Sequence, residues 1–199
     1  MLRVGIVGWR GMVGSVLVQR MREEKDFDHV EPVFFSTSQA GGKGPDIGKP
    51  TEKLADANDV AALKSLPVVI SCQGGDYTSA IHPKLRAAGW QGYWIDAASA
   101  LRMKDDAVII LDPVNLPMIQ DAVKAGTKDF IGGNCTVSLM LMGMAGLLQR
   151  DMVEWMSCMT YQAASGSGAA AMTELVKQMA HLGDVAKPAI ADPAAGILE

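Results

Sequence analysis

The stretch LRVGIVGWRGMVGSVLVQRMREE, residues 2 to 24, constrains the fold of this chain more than any other. A short apolar run stops at Gly8, and Met12, Val13, Val16, Leu17 and Met21 then recur at helical spacing. Strand, tight glycine turn and helix follow from that pattern. The same alternation continues downstream. EPVFF (31–35), PVVISC (67–72), GYWID (92–96), AVIIL (107–111) and DFIGG (129–133) are strand-like, and helical patterns over 55–66, 76–89 and 116–126 separate them. Between Ser36 and Pro50 a loop rich in glycine, proline and polar residues intervenes.

Strands alternating with helices predict an α/β protein with a doubly wound, Rossmann-like, mostly parallel sheet. Beyond Asp151 the pattern changes. DMVEWMSCMTYQAAS (151–165) reads as a longer strand, followed by a glycine-serine turn and a helix from Ala169, the start of an α+β catalytic or dimerisation domain. The expected division is a nucleotide-binding domain over 1–134 and the beginning of the second over 135–199.

With 18 basic against 22 acidic residues and a net charge of −4, the chain offers no basic surface for nucleic acid. Residues 130–149 are uncharged, but Gly132, Gly133 and Asn134 interrupt them, which leaves a run short for a bilayer. Cys72, Cys135 and Cys158 show no CxxC spacing and no clustering with histidine, so neither a disulfide framework nor a metal site is expected. Together with an N-terminus lacking a signal-peptide pattern, this points to the cytoplasm and to no membrane partner.

Gly8, Gly11 and Gly14 are spaced G-x-x-G-x-x-G, between a strand and a helix, where a dinucleotide pyrophosphate is cradled. NAD-preferring sites carry an acidic residue at the end of the second strand; here that place holds Ser36, Thr37 and Ser38. Hydroxyls donate to a 2′-phosphate that a carboxylate would repel, and Arg10 in the turn supplies positive charge. NADP(H) is therefore the expected cofactor.

GGNCTVSLMLMGM (132–144) places Cys135 at the mouth of a helix, after a glycine pair and Asn134. A free thiol with a pKa of ~8.5 is only ~3% thiolate at neutral pH, and a helix N-terminus shifts this modestly, so a nucleophile here still needs a base. Backbone N–H groups and the Asn134 amide stand where an oxyanion would accept hydrogen bonds. Cys72 and Cys158, in apolar strand patterns, read as packing residues. His29 precedes the second strand, His82 lies in mid-helix and His181 falls late in the last helix; none is placed to take a proton from Cys135.

GWRGMVGSVL, PVFFSTSQ, SCQGGDYT, GYWIDAAS, LRMKDDA, GGNCTVSLMLM and TYQAASGSGA together resemble the bacterial aspartate-semialdehyde dehydrogenase family, in order and context, over essentially the whole chain. The resemblance implies that Cys135 is an acyl-thioester nucleophile with Asn134 as oxyanion partner. It implies that Arg102 binds substrate or inorganic phosphate and that Gln162 orients substrate. Gly8, Arg10, Gly11, Met12, Val13, Gly14, Thr37, Ser38 and Gln73 would contact NADP, with the turn Ser165, Gly166, Ser167, Gly168, Ala169 closing over it. The implied reaction is NADPH-dependent reductive dephosphorylation of L-4-aspartyl phosphate to L-aspartate 4-semialdehyde, which feeds lysine (through diaminopimelate), threonine and methionine synthesis, in a homodimer.

Family members are about twice as long, as two-domain enzymes are. Their catalytic histidine, a substrate-holding glutamate and arginine, and a returning C-terminal helix would lie beyond residue 199, and residues 1–199 alone are expected to be inactive. Ala170 and Ala171 stand where the family commonly has larger polar residues. The rival readings are an N-acetylglutamyl-phosphate reductase, which shares the thioester logic, and a dinucleotide-binding module without catalysis.

Overall fold

The computed structural model describes residues 1–191 and contains two compact units, Met1–Met156 and Ser157 onward. In the first, seven strands form one sheet: β1 (Leu2–Val7), β2 (Val30–Ser36), β3 (Ala55–Asp56), β4 (Val68–Ser71), β5 (Tyr93–Asp96), β6 (Ala107–Ile110) and β7 (Asp129–Gly132). Their order is β3-β2-β1-β4-β5-β7-β6, and every pairing is parallel. The winding reverses between β1 and β4, and β7 inserts between β5 and β6, so the strand leading to Cys135 is interior rather than an edge.

Alternation along the strands builds two cores. Val7, Phe35, Val69, Trp94 and Ile131 face one side, packing with Leu63 of α2 (Val60–Lys64) and Tyr77, Ile81 and Leu85 of α3 (Gly75–Ala87). Val4, Ile6 and Phe34 face the other, with Val18 and Met21 of α1 (Met12–Glu23). The 37–54 loop joins this second core, because Ile47 and Leu54 are buried in it.

Three elements differ from the sequence expectation. The span 55–66 splits into β3 and the short α2, since Asp59 caps α2 by accepting from Ala61 N and Ala62 N. The helix expected over 116–126, α4, begins earlier (Asp112–Ala125) and is kinked at Asn115, whose side chain bonds Leu111 N and Ile109 O, both at 2.9 Å. The strand expected over 151–165 is absent: those residues are irregular up to a 3₁₀ turn at Ala164–Ser167. A strand exists only by pairing, and among the described residues no strand follows β7. Cys158, expected to pack inside that strand, is accordingly exposed.

Two more helices complete the described chain: α5 (Cys135–Leu148) in the first unit and α6 (Ala169–Ala191) in the second. Among the described residues, no helix is long and apolar enough to cross a membrane.

A buried ion pair anchors the start of β7 to α3. Asp129 Oδ1 lies 2.5 Å from Arg86 Nη2 and 3.0 Å from His82 Nε2, and Arg86 also donates to the carbonyls of Trp90, Gly92 and Lys128. Burial pushes the Asp129 carboxyl up, but the bonds from His82 and Arg86 outweigh it and hold the group below its ordinary value. A depressed carboxyl pKa gives stability that is fully present above the unfolded value of ~3.9 and is lost as pH falls through the folded one. Asp129→Asn should lower unfolding free energy at pH 7 by about 1–3 kcal/mol. It should also flatten the fall in stability below pH ~4 seen by denaturant titration; an unchanged acid limb would contradict this role.

Candidate active site

At the switch point between β1 and β4 a cavity of about 380 Å³ is lined by Gly8, Arg10, Gly11, Ser36, Thr37 and Gln73, among others. Gly8 is left-handed (φ 77°), and a side chain there would meet Cys72 C at 2.5 Å and Gln73 N at 2.6 Å. Gly14 lets α1 sit against the turn, since a Cβ would lie 2.2 Å from Gly8 O. Gly11 is the N-cap of α1 and offers no side-chain cap, so the first N–H groups of the helix, at Met12 and Val13, remain open to an anion.

Arg10 extends from this turn to the end of β2. Its Nη1 donates to Gln39 Oε1, and its Nη2 donates to Ser38 Oγ at 3.3 Å and to Ser36 Oγ at 3.5 Å. Four arginines other than Arg10 make side-chain hydrogen bonds in the described residues. Arg3, Arg20 and Arg86 each bond a carboxylate, whereas Arg10 and Arg102 bond only neutral oxygens. Both are therefore held in place with their charge uncancelled, the arrangement an anion site requires.

Arg102 lies farther along the sheet's carboxyl edge, after β5 and beside the end of β7. Its Nε donates to Gly132 O at 2.8 Å and its Nη2 to Gly133 O at 3.0 Å, which fixes it against the two residues preceding Asn134 and Cys135. The turn that presents it depends on Asp96, a buried carboxylate that accepts from Thr78 Oγ1 (2.5 Å), Trp94 Nε1 (3.2 Å) and Ala98 N (2.9 Å). Sequence reading missed Asp96 and Gln39. Gln39 had a local signal, lying three residues after a strand-end serine that accepts from its backbone N–H at 3.0 Å.

Cys135 is exposed and is the first residue of α5. Asn134 caps that helix, its Oδ1 accepting from Val137 N at 3.1 Å, so the carbonyl end of its side chain is committed and only the amide is left for an oxyanion. Cys72 follows β4, half-buried in the wall of the nucleotide cavity. Burial, then the Asp96 charge, push its thiol up to about 11. His82 is committed to Asp129, and His29 lies at the amino end of β2. In the second unit, Gln162 is exposed with Nε2 bonded to Thr160 Oγ1 at 3.3 Å. Ser165, Gly166 and Ser167 form the 3₁₀ turn, Gly168 is left-handed (φ 91°), Ala169 opens α6, and His181 is exposed on that helix.

The family model for the semialdehyde dehydrogenase NAD-binding domain matches residues 3–122, and that for the semialdehyde dehydrogenase dimerisation domain matches 144–197. The chain belongs to the semialdehyde dehydrogenase family. Among solved structures, aspartate semialdehyde dehydrogenase from Francisella tularensis is 55% identical with a TM-score of 0.88, over 93% of this chain and 51% of that one. Aspartate semialdehyde dehydrogenase II from Vibrio cholerae, solved with ASA, is 23% identical with a TM-score of 0.72, over 92% and 53%. The Candida albicans enzyme, solved with NADP, is 16% identical with a TM-score of 0.55, over 75% and 47%; these last two show likeness of fold. This semialdehyde dehydrogenase chain spans about half the length of the structures it matches.

The two thiols beside the family's nucleotide fold should separate chemically. With its pKa near 11, Cys72 is only ~0.1% thiolate at pH 8. Iodoacetamide should therefore modify Cys135 well before Cys72, read by peptide mass spectrometry over time. Equal rates would contradict the geometry.

Proposed function

We propose that the full-length protein is an NADPH-dependent aspartate-semialdehyde dehydrogenase. On this reading it converts L-4-aspartyl phosphate to L-aspartate 4-semialdehyde and inorganic phosphate, in the cytoplasm, on the route to lysine, threonine and methionine. One observation carries it: an exposed cysteine opens a helix at the carboxyl edge of the same sheet whose switch point forms a nucleotide cavity with an uncancelled arginine. The substrate class rests on the 55% identity to the Francisella tularensis enzyme.

The cavity suits NADP. Gly8, Gly11 and Gly14 allow the backbone to approach a pyrophosphate at the N–H groups of Met12 and Val13. Arg10, Thr37 and Ser38 meet a 2′-phosphate where a carboxylate would repel it, and Gln73 borders the turn beside Gly8. The NADP in the Candida albicans structure supports the same choice. When bound, NADPH supplies the hydride that reduces the acyl group.

Cys135 Sγ, as thiolate, attacks the acyl carbon; the C–O bond to phosphate breaks and a thioester forms. The Asn134 amide and first-turn N–H groups of α5 stabilise the oxyanion, and Arg102 holds the phosphoryl charge with its unspent N–H groups. By the family resemblance, Gln162 is assigned to orienting substrate and Ser165–Ala169 to the nucleotide. The general base is none of His29, His82 or His181: His82 is committed to Asp129, and His29 lies at the amino end of β2. In this scheme the catalytic domain begins at Cys135, after a nucleotide-binding domain over 1–134.

We place the protein in a homodimer. The dimerisation-domain match over 144–197 supports it, as do exposed apolar side chains on α6, among them Val176, Met179, Leu182 and Val185.

Cys135→Ala in the full-length protein should reduce NADPH-dependent turnover by at least ~10³-fold while NADPH binding stays within about twofold of wild type. Retained turnover would remove the thioester mechanism. Lost turnover together with lost NADPH binding would show damage to the fold instead.

A further inference from the structure

Arg10 is an exposed side chain on a glycine turn, and a free arginine in such a place samples many rotamers. Here it does not. Its Nη1 is bonded to Gln39 Oε1, and Gln39 is itself held by its backbone N–H on Ser36 Oγ (3.0 Å) and by its carbonyl, which accepts from Gly42 N (3.0 Å). Ser36 is 5% exposed and also accepts from Ser38 N at 3.3 Å, so the anchor of the whole turn is buried at the end of β2.

The chemistry of the tether matters as much as its position. A glutamine carbonyl is neutral; it fixes a guanidinium without cancelling its charge. A glutamate of the same length would hold Arg10 as an ion pair and place a negative charge beside any phosphate that approached. An alanine would release Arg10, and reordering a rotamer-rich side chain on binding costs affinity.

We infer that Gln39 is a specificity-determining residue: its side-chain carbonyl holds Arg10 over the end of β2 as a ready receptor for the 2′-phosphate of an adenine dinucleotide. This deepens the NADP reading above and rests on it. Gln39 takes no part in acyl chemistry, so equilibrium binding isolates its effect.

The test is a fluorescence titration of NADPH and of NADH against the full-length wild type, Gln39→Glu and Gln39→Ala, with no acyl substrate present. Gln39 is exposed, so both variants keep the fold, checked by thermal melting. Gln39→Glu should weaken NADPH at least ~10-fold and Gln39→Ala about 3-fold, with NADH changed less than about 2-fold in each. Wild-type NADPH affinity in either variant overturns the role of Gln39. Equal affinity of the wild-type protein for NADH and NADPH overturns the cofactor reading and this inference with it.

Discussion

Parallel pairing governs this molecule. Because all seven strands run the same way, every strand's carboxyl end lies on one edge of the sheet, and each connection must return outside it. The glycine turn after β1, the serines ending β2, Gln73 after β4, the Asp96 turn after β5 and Cys135 after β7 therefore share that edge, although more than 120 residues separate the first from the last. The winding order refines the result. Reversal between β1 and β4 opens the nucleotide cavity, and insertion of β7 between β5 and β6 puts the strand that leads to Cys135 in the interior, where neighbours on both sides fix its height.

The arginines at the two ends of the sheet follow one electrostatic rule. Where an arginine serves the scaffold, as Arg86 does, its charge meets a buried carboxylate; where Arg10 and Arg102 stand, only hydroxyl, amide and backbone oxygens hold the guanidinium. Neutral acceptors fix direction and leave the charge for a ligand. Two such arginines, one by the cavity and one by Cys135, match the two anionic groups of the proposed reaction, a ribose phosphate and an acyl phosphate. Thiol chemistry divides in a similar way. Cys72 is kept protonated by burial and a nearby carboxylate, while Cys135 stands exposed at a helix mouth.

Much of this was legible in the sequence because it is local. A strand that ends in glycines and opens a helix announces itself over about a dozen residues, and Asn134 before Cys135 is a cap before a helix start. Arg10 with Ser36 and Ser38 could be anticipated because the fold brings the first turn to the end of the second strand. What stayed hidden is non-local. The place of β7 in the sheet, the clamp of His82 and Arg86 on Asp129, and the support of Arg102 on Gly132 and Gly133 depend on pairings no periodicity encodes. The 151–165 stretch carries a strand's composition, but pairing decides whether a strand forms, so Cys158 is exposed instead of packed.

The claim on which the account turns is that the Cys135 sulfur becomes acylated. Full-length protein incubated with L-4-aspartyl phosphate without NADPH, quenched in acid and digested, reads this directly by mass spectrometry. The account predicts an aspartyl adduct on the peptide bearing Cys135 that disappears when NADPH is added before quenching. An adduct on another residue, or none while the enzyme turns over normally, would contradict it.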